Sequence, residues 1–341
     1  MKHHVGLFCI LLAVALAPIG ASADSYMTES RASSLRRIQQ YVLNEQFAPA
    51  LQLADSLQRA NPEDPSGYLF EAAALLGEMT GAEANLHETA FKAAIDTATM
   101  LADTAATTTT GAEAAWQFLF LGNARAYRAL WESRFGSFIS AAKLGFAAAD
   151  AFEKGLSHDS SLYDLYLGLG SFHYWKSAKA GLLRWMGIIS DEKERGIAEL
   201  NLAADSAVLF RDAARQAMIW VWLDRGHYDS AAVEARRALE KYPDGNLFLW
   251  PLAEAQFHSR QYLSAIETYS TIRRRIIENP GNYFNLVSVD YQLALCYQEL
   301  GEKDKMKTIA RGVRDYQTAI PRTTEYRLRD QLDHLARMAR M

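Results

Sequence analysis

Apolar residues recur along this chain at helical spacing, in stretches broken by short polar turns, and alternating strand-like runs are nearly missing. That pattern predicts an all-α protein. The stretches also repeat one another. "GHYDSAAVEARRALEKYP" sets out Tyr228, Ala231, Ala235, Ala238 and Pro243, and "RQYLSAIETYSTI" sets out Tyr262, Ala265, Tyr269 and Ile272. Tyr228 to Tyr262 and Ala231 to Ala265 are the same step along the chain. A third unit, "LALCYQELGEKDKMKTIARGV", supplies Ala294, Tyr297, Gly301 and Ala310. Near the N-terminus Phe47, Ala50 and Pro62 keep the offsets of Tyr228, Ala231 and Pro243.

The repeat has a physical reading. Small residues let two helices approach closely, and larger ones fill the gap to the next pair. Gly226 and Gly301 suit a turn, and Pro243 ends a helix because it cannot continue the hydrogen-bond ladder. "FLGNARAY" and "LGLGSFHYW" carry the first-helix pattern at Leu121–Gly122 and Leu169–Gly170, in units longer than the regular step. The Thr107 to Thr110 run marks a loop. At the end, Leu328, Leu332, Leu335 and Met338 form one stripe of a capping helix entered at Pro321.

These residues resemble the tetratricopeptide repeat family, whose helix–turn–helix unit is about 34 residues long. The match is best over 207–316. The resemblance implies a right-handed superhelix of about seven antiparallel helix hairpins with a C-terminal cap. It also implies a concave groove, lined by the first helix of each hairpin, that holds a protein or peptide partner. On this sequence's offsets, Tyr174, Trp175, Trp220, Trp250, Phe257, His258 and Tyr291 fall at or near the groove. Aromatics there supply contact area at low entropic cost, or else pack between helices.

One segment breaks the period. "SAKAGLLRWMGIISDEKERGIAEL" places a short apolar insertion, 177–189, inside the fourth hairpin. Its first helix is expected to end near Trp175–Lys176, and the next to start at Ser190. Leu182, Trp185, Met186 and Ile189 share one helical face, which needs cover from the repeats, a partner or a membrane surface. Trp185 therefore joins the candidate binding residues. Lys176, Lys179 and Arg184 do not form a lipid-binding cluster. Residues 165–205 also resemble, more faintly, a eukaryotic tetratricopeptide-related family of mitochondrial outer-membrane and inclusion-body proteins.

Composition narrows the function classes. The chain has 341 residues, is 50% hydrophobic and carries a net charge of −4, which suits a packed fold and argues against nucleic acid as a partner. Arg273 to Arg275 is expected as a solvated helix face. No metalloprotease, paired-cysteine or phosphate-loop motif occurs. Ser140 to Lys143 matches S-x-x-K without its companion motifs. His87, His158, His173, His227, His258 and His334 are scattered, so neither a metal nor any other cofactor is expected, and the chain reads as non-catalytic.

Residues 1–23 form a leader: "MKHH", the apolar run "VGLFCILLAVALAP", then small residues at "ASA". Cys9 falls inside that run, which leaves Cys296 alone in the mature chain, read as a packing residue. No N-x-Ser/Thr site is present, consistent with a bacterial envelope or periplasmic location. The organisation expected is a leader at 1–23, hairpins at 24–106, longer irregular hairpins at 107–206, regular repeats at 207–316 and a cap at 317–341. If the leader is removed after Ala23, N-terminal sequencing of exported protein will read Asp24-Ser25-Tyr26. An intact Met1 on envelope protein would contradict export.

Overall fold

The computed structural model describes residues 26–179 and 190–341, and among them it is all-helical, with no strand. Residues 1–25, which include the expected leader, and residues 180–189 of the apolar insertion, with Trp185, lie outside the described residues. Fourteen of the described helices pack in consecutive pairs. The first three pairs are α1 (Glu29–Leu43) with α2 (Phe47–Ala60), α3 (Pro65–Ala82) with α4 (Glu88–Thr108), and α5 (Gly111–Phe135) with α6 (Phe138–His158). Then come α7 (Leu165–Lys179) with α8 (Lys193–Ser206), α9 (Arg211–Asp224) with α10 (Tyr228–Lys241), and α11 (Asn246–His258) with α12 (Tyr262–Glu278). The last is α13 (Tyr283–Glu299) with α14 (Lys303–Gly312), followed by short α15 (Arg322–Arg327) and α16 (Arg329–Met338).

Four of the pairs turn in the same way. His227 N–H bonds Trp222 O at 2.8 Å, Gln261 bonds Gln256 at 2.8 Å, Glu302 bonds Tyr297 at 2.9 Å, and Gln46 bonds Tyr41 at 2.8 Å. Each is the closure that ends a helix through one left-handed residue. Those residues are Gly226 (φ 74°), Arg260 (φ 59°), Gly301 (φ 73°) and Glu45 (φ 56°). In each case the second helix starts just beyond, at Tyr228, Tyr262, Lys303 and Phe47. The repeat seen in sequence is therefore a repeat of turn geometry as well.

Small residues set the helix spacing. Ala231 and Ala265 are fully buried, as are Ala50 and Ala294. Between α7 and α8, Gly170 and Gly196 face each other so closely that a Cβ on either would stand 2.7 Å from the other's carbonyl oxygen. Gly122 and Gly168 receive the Phe152 ring, which a Cβ would meet at 2.3 and 2.1 Å. The Gly168-x-Gly170 pair thus serves packing.

Several boundaries differ from expectation. Helix α7 continues to Lys179, and α8 begins at Lys193 with Glu192, not Ser190, at its N-cap. The cause is Ser177. Its hydroxyl bonds His173 O within α7 at 2.8 Å and accepts the Glu192 N–H at 2.8 Å, which closes the base of the insertion. Lys176 pairs with Glu192 beside it. The threonine run is helical through Thr108, with the hydroxyls of Thr107, Thr108 and Thr109 returned to carbonyls of the last turn. The cap is two helices, broken at buried Leu328, with Leu335 and Met338 buried beyond it. Arg273 and Arg275 are not a freely solvated face. Arg273 Nε donates to Asp290 at 2.6 Å, and Arg275 donates to the carbonyls of Pro243 and Asp244.

Ala231 is fully buried while its neighbour Ser230 faces solvent. Ala231→Leu is expected to overpack α9–α11 and cost about 1–3 kcal/mol in a denaturant melt. Ser230→Leu should cost less, and equal losses would show the register to be wrong.

Candidate functional site

The chain returns to itself between the turn after α1 and the turn before α11. Leu43, at the end of α1, is buried in an apolar cluster with Ile219, Ala231, Tyr242, Phe248 and Leu252. Beside it Glu45 accepts the Leu247 N–H at 2.9 Å and the Asn246 side chain at 2.8 Å. Asp244 N–H donates to Asn44 Oδ1 at 2.9 Å. One pair further along, Asn285 and Asn282 donate to Gly81 O at 2.7 and 3.2 Å. Glu83 takes both Arg134 and Arg327. Burial raises the pKa of Glu45, opposed by the Leu247 N–H it accepts.

Beside this seam lies a half-open chamber of about 650 Å³. Its walls come mainly from the first helix of a pair: Gln39 and Val42 on α1, Phe70, Ala73 and Gly77 on α3, and Tyr127, Leu130 and Arg134 on α5. Across from them stand Ala213, Gln216 and Trp220 on α9, Leu247, Trp250 and Glu254 on α11, and Phe284, Asn285 and Ser288 on α13. These positions keep the repeat step seen between Tyr228 and Tyr262. Gln216, Trp250 and Phe284 form one series and Trp220, Glu254 and Ser288 another, with Gln39 and Ala73, and Val42 and Leu76, as shorter ones. A repeating helix pair presents the same register to the interior each time, so one wall position generates the rest.

The chamber is mostly apolar and aromatic, with few charges. Glu45 and Glu83 are already engaged at the seam. Glu254 is half-exposed to the interior, and its pKa is raised by burial, with His258 opposing. The neutral form of this carboxyl is favoured more than in water.

Of the residues read from sequence, the structure brings Trp220 and Trp250 together in this wall. Tyr174 lies elsewhere, fully buried, with its hydroxyl on Asp224 at 2.7 Å. Trp175 packs edge-on against Tyr174 beside the α8–α9 core. Phe257 packs on Tyr262, and His258 stacks on Tyr228 at 5.0 Å. Tyr291 bonds His334 under the cap at 3.1 Å. Burial pushes the Cys296 thiol up to about 12. Among the described residues, no group of three or more His, Cys, Asp or Glu is arranged to hold a metal ion, and no helix is long and apolar enough to cross a membrane.

Gln216, Glu254, Phe284 and Ser288 are wall residues that the sequence reading does not name. One or two repeat steps from Trp220 and Trp250 reach all four, so their signal lies in register and not in residue type. Phe70, Tyr127 and Arg134 have no such signal, since the units that hold them are irregular.

No protein-family model matches the chain, and no curated protein matches it.

The seam can be tested by its apolar anchor. Leu43→Ala is expected to cost about 2–5 kcal/mol in a denaturant melt. Leu263→Ala, at a position 70% exposed, should cost far less. Equal effects would contradict the seam.

Proposed function

We propose that this is a non-catalytic binding protein of the cell envelope whose interior chamber holds an apolar ligand or chain segment. The observation that carries the reading is the repeating register of the wall, which directs Trp220, Trp250 and Phe284 from successive pairs into one half-open cavity. A tetratricopeptide-like superhelix that winds once and meets itself at the seam accounts for that register, and the repeated left-handed turns support it. The concave face is then the interior of a ring. Its volume suits a small or slender ligand, since ligand pockets run to roughly 300–1,000 Å³. A folded protein partner needs a broader surface than the chamber offers, so the partner protein or peptide expected of the groove enters, on this account, only as a short apolar segment. The leader pattern of residues 1–23 supports an envelope or periplasmic location.

A second reading rests on a separate observation. The first half of α6 exposes Phe138 (81%), Ile139 (68%) and Phe146 (57%), the last of which also meets the Phe172 ring edge-on. Such a face supports peripheral contact with a partner or a membrane, which liposome flotation would reveal.

The chamber reading is tested with N-phenyl-1-naphthylamine, an uncharged dye that brightens in apolar surroundings. The wild-type protein is expected to bind it. Ala73→Trp, which fills the chamber from α3, should abolish binding while leaving the melting temperature nearly unchanged. Undiminished binding by the filled variant, or none by the wild type, would overturn the proposal.

A further inference from the structure

Helix α9 carries a second set of side chains on the face next to the chamber wall. A cavity of about 470 Å³ there is lined by Arg36, Arg211, Arg215 and Lys241, with Asp212 the single carboxylate. Gln39 lines this cavity and the chamber alike, and both lie between α1 and α9.

The charges are not balanced locally. Asp212 is taken by Lys241 Nζ at 2.6 Å and by the Tyr242 hydroxyl at 2.7 Å. Arg36 is paired with Glu29. Arg215 acts on Asp212 only through space, without a direct ion pair, and Arg211 is exposed to solvent. The two arginines stand one helical turn apart on the same face, close enough for two guanidinium groups to converge on one anion. The charge comes from side chains and not from the start of α9. The N–H groups of Val208, Leu209 and Phe210 are already taken by the buried Asp164 carboxylate at 2.7, 2.7 and 2.9 Å.

The apolar chamber and the Arg211–Arg215 face adjoin at Gln39, which lines both. The geometry points to an anionic single-chain amphiphile as their ligand, with the acyl or alkyl chain in the chamber and a phosphate or carboxylate head on Arg211 and Arg215. This rests on the chamber reading and adds the ligand's chemistry to it. Arginine suits the head because its planar fork matches both anions and stays charged at any relevant pH. The one loosely held carboxyl in the chamber, Glu254, would instead attract a cationic head, so the sign of the head group decides the matter.

The test measures dodecyl phosphate, dodecanoate, dodecanol and dodecylammonium by displacement of the naphthylamine dye, with inorganic phosphate followed separately by calorimetry. The anionic chains are expected to bind roughly tenfold or more tighter than dodecanol, and the gap should narrow as salt rises. The double variant Arg211→Gln/Arg215→Gln should remove that gap while leaving dye and dodecanol binding unchanged, which also shows that it folds. If dodecanol or dodecylammonium binds as tightly as the anions, the inference fails while dye binding keeps the chamber reading intact. If inorganic phosphate binds as tightly as dodecyl phosphate and Ala73→Trp does not weaken either, the arginines hold a free anion and the amphiphile is ruled out. If the dye itself does not bind, the chamber reading falls, and this inference with it.

Discussion

Leu43 leaves the first helical pair and buries its side chain among residues of α9, α10 and α11, far along the chain. That return is one of several contacts that shape the chamber, beside Phe70 stacked on Phe210 at 6.0 Å and the Asn285 bond to Gly81. It helps to set the walls from α1 and α3 across from those of α9 and α11. Contacts within and between neighbouring pairs are local. The return is non-local, joining residues about 200 positions apart. Gly245 shows how tight the contact is: a Cβ there would stand 2.5 Å from the Leu43 carbonyl oxygen. The polar bonds around Leu43 fix register more than they add stability, because each replaces bonds to water.

The angles between helices are set by a series of buried polar junctions. Asp164, only 1% exposed, ties the loop before α7 to three amides before α9. His173 on α7 stands 2.6 Å from Glu199 on α8. Asp290 on α13 holds Arg273 of α12 at 2.6 Å and Tyr316 beyond α14 at 2.8 Å. A buried carboxylate without partners would cost several kcal/mol, so each junction is satisfied in one arrangement of its helices. Burial raises the pKa of Asp164 and of Asp290, against the bonds that favour their charged forms. Such junctions contribute direction where alanine-rich packing alone would allow sliding.

Helices, their pairing and much of their register were legible in the sequence, because hydrophobic period and small-residue spacing are local signals. Ala231, Ala265 and Pro243 stand where the repeat step puts them. The same step carries Gln216, Glu254, Phe284 and Ser288 into the wall, a signal of register that residue type does not reveal. The seam was not legible. Glu45 and Arg260 hold left-handed turn positions without being glycine, so their turns carry no composition signal, and Leu43 is one leucine among many. Aromatic character misdirected the site at Tyr174, because a buried junction and a binding surface both favour large side chains with a polar tip. The arginine pocket escaped because its four cations come from three helices and never form a run.

The central claim is that the chain closes on itself between the first turn and the start of α11. Hydrogen exchange at those two segments tests it directly. In the wild-type protein, the Leu247 amide and the amides of 43–47 should be protected. Glu45→Ala removes the acceptor for that amide, and exchange should accelerate together at 43–47 and 244–248, with α13 and α14 unchanged. Exchange at 244–248 that is the same in both proteins would contradict the closure, and with it the chamber.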